Sequence, residues 1–140
     1  MKQKPLFVYG SLLVGTGSPE IDRMFTRCCR RVAFAYVHAH LYDLGAYPGV
    51  VVSDPSEKAR VQGAVFRIAT PKQCLPSIDR YEGYDPDHPE RSEFIRAAIT
   101  AYRLPRNEPV EAWIYLYNGR VDHLRRIDGG DYVEFKRQDR

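Results

Sequence analysis

Two stretches of this chain hold residue types that could do chemistry together. Near the N-terminus, Phe7-Val8-Tyr9-Gly10-Ser11-Leu12-Leu13 carries an apolar strand pattern straight into a glycine turn. Far along the chain, Asp79-Arg80-Tyr81-Glu82-Gly83-Tyr84 sets a carboxylate between two aromatics and against a glycine. A turn that leaves a strand end exposes backbone N–H groups with no strand partner, and a concave row of such donors binds anions. A carboxylate held opposite that row could move protons on whatever anion docks there.

The spacing around Glu82 bears on which carboxylate that would be. Leu75, Ile78 and Glu82 lie three and four residues apart, so a helix stacks them on one face and aims Glu82 where the apolar side chains point. Most helical glutamates are solvated and inert. One on an apolar face is desolvated, which raises its pKa toward the range useful to a general base. Asp79, one turn away on a similar side, is the nearest competitor. Val110, Ala112, Ile114 and Leu116 make the aliphatic face of an alternating strand and Trp113, Tyr115 and Tyr117 its aromatic face. A Tyr115 hydroxyl directed at a ligand would orient it at little entropic cost, with Trp113 read as core.

The elements that must position these residues follow from period and punctuation. Leu6 to Tyr9, between Pro5 and Gly10, is too short for a helix and reads as a buried first strand, and Gly10 to Gly17 reads as a loop. Ser18-Pro19-Glu20 starts a helix, with serine as cap and proline at the first helical position, ending near Cys29 or Arg30. From Val32 to Leu44 the period is two, with Ala33, Ala35, Val37, Ala39 and Leu41 on one side, as in a long strand of a small curved barrel. A short strand over Val50–Val52 follows a turn. Gly63 in the strand Val61–Ile68 marks a bulge or a close backbone approach. Thr70-Pro71 starts a second helix, which Pro76 must kink or delay. Phe94–Arg103 and Val110–Tyr117 alternate as paired strands, and Gly129-Gly130-Asp131 caps a short last helix. The expected fold is α+β: a small mixed barrel-like sheet of about six strands with two or three flanking helices, in one domain over residues 1–140.

Other chemistries fit the residues less well. The glycines from Gly10 to Gly17 lack the Lys-Ser/Thr of a phosphate loop and have the wrong spacing for a dinucleotide fingerprint. Ser11 lacks the flanking glycines of a nucleophile elbow, Tyr9 and Leu13 standing there instead. His38 and His40 share a strand side without a third ligand, so they read as a polar patch, and no metal is expected. The 28% charged and 44% hydrophobic residues are those of an ordinary soluble domain. A net charge of +3 spread without a basic stripe argues against nucleic acid as a partner. Cys28, Cys29 and Cys74 offer no bridging framework, which points to a reducing compartment. The apolar run after Met1–Pro5 breaks at Gly10, and no segment is long enough to span a bilayer. A cytoplasmic, membrane-free protein is therefore expected.

The ordered set YGSL, LYDLGAYPGV, GAVFRI, IDRYEGY, a strand with Phe94 and Arg96, AWIYLYNG and a closing GGDY resembles the gamma-glutamylcyclotransferase-like family, with its AIG2-like members. The resemblance covers nearly the whole chain. It implies the barrel-like fold, Glu82 as acid/base, and Tyr9, Gly10, Ser11 and Leu12 as the loop holding a gamma-glutamyl group through its backbone. Many members have Asn where this chain has Leu12, and some AIG2-like domains have no established activity. The implied partner is a small gamma-glutamyl molecule cyclised to 5-oxoproline, an intramolecular reaction for which no cofactor is expected. The alternative is a non-catalytic domain of the same fold that senses or carries a small carboxylate.

Overall fold

The computed structural model describes residues 3–138. Strand β1 (Leu6–Val8) is buried along its length and pairs antiparallel with β5 (Val61–Ile68). The other barrel strands are β2 (Cys29–Val37), β6 (Phe94–Arg103) and β7 (Glu108–Tyr117). They close in the order β1-β5-β2-β6-β7, and a parallel contact of Leu6 with Trp113 joins the ends. One parallel seam among antiparallel ladders makes the barrel mixed, as the sequence pattern implies.

The long alternating stretch does not run as one strand. It breaks at His38 and continues as β3 (Ala39–Asp43), which leaves the barrel for a second sheet with β4 (Pro48–Val52) and the two-residue β8 (Arg125–Arg126). Its register against β5 also shifts between Arg31 and Ala33. The side assignment survives the break: Ala35, Val37, Ala39 and Leu41 all face the core. Small side chains suit the crowded interior of a five-stranded barrel. At Gly63 a Cβ would collide with the Val8 carbonyl oxygen and the Phe7 ring, so this position marks the close approach of β1 rather than a bulge.

Among the described residues, three helices longer than a single turn flank the sheets. In α2 (Pro19–Cys28) the Ser18 hydroxyl accepts from the Ile21 N–H at 3.4 Å. Helix α3 (Pro71–Glu82) starts at Pro71 and carries Pro76 inside it. Its cap, Thr70, lies at φ 39° with no capping side-chain hydrogen bond. Helix α4 (Tyr132–Gln138) closes the described chain. The expected loop from Gly10 contains a one-turn helix, α1 (Ser11–Val14).

The cysteines depart from expectation. Cys28 at the end of α2 and Cys74 in α3 form a disulfide across 46 residues, and Cys29 alone is free and buried. Two helices packed side by side on the barrel bring the pair together, which residue spacing could not show.

The core has two parts. One fills the barrel with Phe7, Val37, Val61, Val65, Ala101, Ala112 and Ile114. The other lies under α2 and α3, where Leu6, Phe25, Phe66, Ile78, Phe94 and Tyr115 meet. β1 contributes alternate residues to both, so its C-terminal end emerges where barrel and helices join. Among the described residues, no helix is long and apolar enough to cross a membrane.

Candidate active site

Tyr9, Gly10, Ser11 and Leu12 follow β1 directly and line a cavity of about 200 Å³. Tyr81 and Glu82 from the end of α3, Tyr47 and Pro48 from the β3–β4 turn, Glu93 and Phe94 at the start of β6, and Tyr115 of β7 complete its walls. All six residues singled out from the sequence therefore share one cavity. Its volume falls below the roughly 300–1,000 Å³ of drug-sized sites. That suits an amino-acid-sized ligand.

The loop is shaped by a close approach. A Cβ on Gly10 would lie 2.9 Å from Pro48 Cγ, so only glycine lets the chain turn against β4. The Leu13 N–H bonds the Gly10 carbonyl at 2.9 Å and closes one helical turn. The N–H groups of Gly10, Ser11 and Leu12 find no acceptor among the described residues. Leading N–H groups of a helical turn have no intrahelical partner, and here they border the cavity.

The side chains of the loop are otherwise occupied. Leu12 packs into the second core. The Tyr9 hydroxyl donates to the Tyr115 carbonyl at 2.6 Å, and burial raises its pKa. Ser11 Oγ and the Tyr81 hydroxyl share a hydrogen bond of 2.8 Å. This bond ties the loop to the end of α3, one residue before Glu82.

Glu82 makes no hydrogen bond or ion pair among the described residues. It is half-buried rather than fully buried. Its pKa rises from 4.5 to about 8, chiefly by desolvation and then by the charges of Glu93 and Asp79. A carboxyl with that pKa takes and returns a proton near neutral pH.

Asp79, the competing carboxylate, is fully engaged. It is 4% exposed, accepts from Arg96 Nε at 2.9 Å and Nη2 at 3.3 Å, and accepts from the Tyr115 hydroxyl at 2.6 Å. The Arg96 guanidinium lies 4.6 Å from the Trp113 ring centre. Tyr115 thus lines the cavity while its hydroxyl is held by Asp79, not directed at a ligand as expected.

Glu93, Tyr47 and Tyr81 escaped the sequence reading. The Tyr47 hydroxyl donates to Glu93 Oε2 at 2.6 Å, and that bond leads the causes raising the Tyr47 pKa to about 12. Glu93 sits in a polar, proline-rich stretch without periodicity, so nothing in the pattern aimed it inward. Tyr81 could have been found, being next to Glu82 in the same motif. The histidines do not cooperate: His40 Nε2 pairs with Glu57 at 2.7 Å, whereas the His38 ring packs against Tyr36 and Tyr102. No group of three or more His, Cys, Asp or Glu could hold a metal ion among the described residues.

Comparison with known proteins identifies the fold and the family. The Escherichia coli K12 protein described as gamma-glutamylcyclotransferase family protein YtfP is 29% identical over 129 residues, covering 92% of this chain and 96% of that one. The solution structure of the Escherichia coli protein ytfP superposes with a TM-score of 0.62 at 27% identity, covering 94% and 98% of the two chains. An aig2-like protein from Mus musculus shares the fold with a TM-score of 0.67 at 19% identity, over 94% of this chain and 89% of its own. The sequence model of the family described as gamma-glutamyl cyclotransferase, AIG2-like, matches residues 6–134, and the chain belongs to that family.

Proposed function

We propose that the protein is a gamma-glutamyl cyclotransferase in which Glu82 is the general acid/base. The observation that carries this reading is an unpaired carboxyl with a pKa of about 8 in the same small cavity as the acceptor-free N–H groups of Gly10, Ser11 and Leu12.

The chemistry is intramolecular. The substrate's alpha-ammonium gives a proton to the Glu82 carboxylate, and the freed amine attacks the gamma-carbonyl carbon. A new C–N bond closes the five-membered ring of 5-oxoproline. The old amide C–N bond then breaks as the departing amine takes a proton back from Glu82, and the second proton shed by the ring nitrogen passes through the same carboxylate, so that the amine leaves as an ammonium ion. One carboxyl serves both transfers when its pKa lies near neutrality. A docked alpha-ammonium also favours the ionised form of Glu82, which desolvation by burial disfavours.

The loop supplies geometry. Its N–H donors hold the substrate carboxylate or the oxyanion that develops on the gamma-carbonyl, and that fixes the folded conformer the ring closure needs. The Ser11–Tyr81 bond keeps loop and base in register. Tyr9, Leu12 and Tyr115 contribute cavity wall and backbone position. The reaction consumes no cofactor.

Incubation with a panel of gamma-glutamyl amines and gamma-glutamyl amino acids, read as 5-oxoproline released, tests the proposal. Product from at least one class is expected. Thermal stabilisation by these compounds without product from any of them would instead favour a binding protein of the same fold.

A further inference from the structure

The cavity holds a second carboxylate for which the reaction above has no task. Glu93 is exposed and lines the cavity, so it stands at the mouth, whereas Glu82 is half-buried within. The two regions adjoin: a Cβ on Gly83 would lie 3.9 Å from Glu93 Cβ. Glu93 is held at both ends. Asn118 donates its N–H to the Glu93 carbonyl at 2.8 Å, and the Tyr47 hydroxyl donates to Glu93 Oε2.

The charge at the mouth is one-sided. Glu82 and Glu93 are the only charged residues lining the cavity among the described residues, with no lysine, arginine or histidine. Arg96, the cation paired to α3, is engaged by Asp79 behind the wall. In the cyclotransferase reading, on which this inference rests, the glutamyl carboxylate and ammonium are met by the loop and Glu82. The part of the substrate that reaches the mouth is then the amine that leaves.

We propose that Glu93 is the specificity-determining residue for the leaving amine, favouring substrates that carry a positive charge there and turning away those that carry a carboxylate. With Glu82 occupied by the alpha-ammonium, Glu93 is the charge left at the mouth, and a fixed carboxylate in a partly enclosed site attracts a cation and repels an anion more strongly than the same charge in open solvent. The Tyr47 bond leaves Glu93 one oxygen free and holds the side chain in place without neutralising it.

Three matched probes test this: the gamma-glutamyl amides of propylamine, of 1,3-diaminopropane and of beta-alanine, which present a methyl, an ammonium and a carboxylate at similar reach. In the unaltered protein kcat/KM should fall in the order ammonium, methyl, carboxylate. Glu93→Gln should compress the ammonium-to-carboxylate ratio by about tenfold, as expected for a partly screened charge losing one attraction and one repulsion. The methyl probe serves as reference for any general change, including one passed through Glu82. A ratio equal in both proteins overturns the assignment while leaving the cyclotransferase reading intact. A loss shared equally by all three probes also overturns it, because that places Glu93 on the common glutamyl group. Affinities of the probes for Glu82→Gln, with and without Glu93→Gln, read the same ratio without turnover. Charge selection there that depends on Glu93, with no product from the unaltered protein, retains Glu93 and rejects the cyclotransferase. Absence of both product and binding rejects both.

Discussion

Asp79 and Glu82 stand one turn apart at the end of the same helix, and their surroundings give them opposite characters. Asp79 is the more buried of the two, yet it accepts three hydrogen bonds, two of them from a guanidinium. Glu82 keeps more exposure, yet it has no partner among the described residues and shares a small cavity with a second carboxylate. Burial alone therefore does not decide which acid is poised for chemistry. What decides is whether donors compensate the burial, because a compensated carboxylate stays ionised and inert while an uncompensated one is driven toward its neutral form. The Asp79 side of α3 is the anchor, and the Glu82 side is the face that the proposed cyclotransferase reaction would use.

The sharpest way to separate the two is to neutralise each in turn. Glu82→Gln keeps size and most hydrogen-bonding capacity but cannot accept a proton. Production of 5-oxoproline should fall by roughly two to four orders of magnitude. Its stability should hold or rise, since a neutral amide costs less to bury than an unpaired carboxylate. A variant with full turnover would end the comparison.

Asp79→Ala should behave the other way. It strands the mostly buried Arg96 without its counter-charge, which costs about 3 kcal/mol in a denaturant melt with an unchanged slope. A loss below about 0.5 kcal/mol, the usual range for ordinary surface substitutions, would show that the pair anchors nothing. Tyr115→Phe is the milder version. It removes one donor to Asp79 and leaves Arg96 in place, so a loss of about 1–2 kcal/mol is expected. Its effect on turnover should be far smaller than that of Glu82→Gln.

Much of the fold was legible because local chemistry and global packing agree. The Ser18-Pro19 helix start, the two faces of β7 and the small inward side of β2 and β3 each follow from period and residue type. The breaks were less visible. His38 carries no turn signal, so the transfer of the chain from one sheet to the other could not be read from alternation that continues on both sides. The Thr70 start was placed correctly at Pro71, but its left-handed cap has a geometry that the residue type does not announce.

The site divides along the same line. Gly10 and Glu82 were legible because each sits in a short motif at an element boundary. The Tyr115 hydroxyl was assigned to a ligand because alternation gives the face of a side chain and not the atom it meets. Glu93 was missed because a cavity wall assembled from a loop leaves no periodic trace. The Cys28–Cys74 bridge was hidden for a related reason: the packing of two helices is a long-range fact.

The account rests on a Glu82 carboxyl that titrates near pH 8. Between its ordinary pKa of 4.5 and about 8, the folded state binds more protons at this site than the unfolded chain. The stability it contributes is therefore complete below about 4.5 and lost as pH rises through about 8. The most direct measurement is a pH titration of the glutamate side-chain carboxyl resonances by NMR on carbon-13-labelled protein, with the Glu82 signal identified by its absence from Glu82→Gln. A midpoint near 8, set against ordinary acidic titration of the exposed glutamates, is the predicted result. A Glu82 midpoint near 4.5 would contradict the claim that this residue is held uncompensated in the cavity, and with it the proton-transfer role built on that claim.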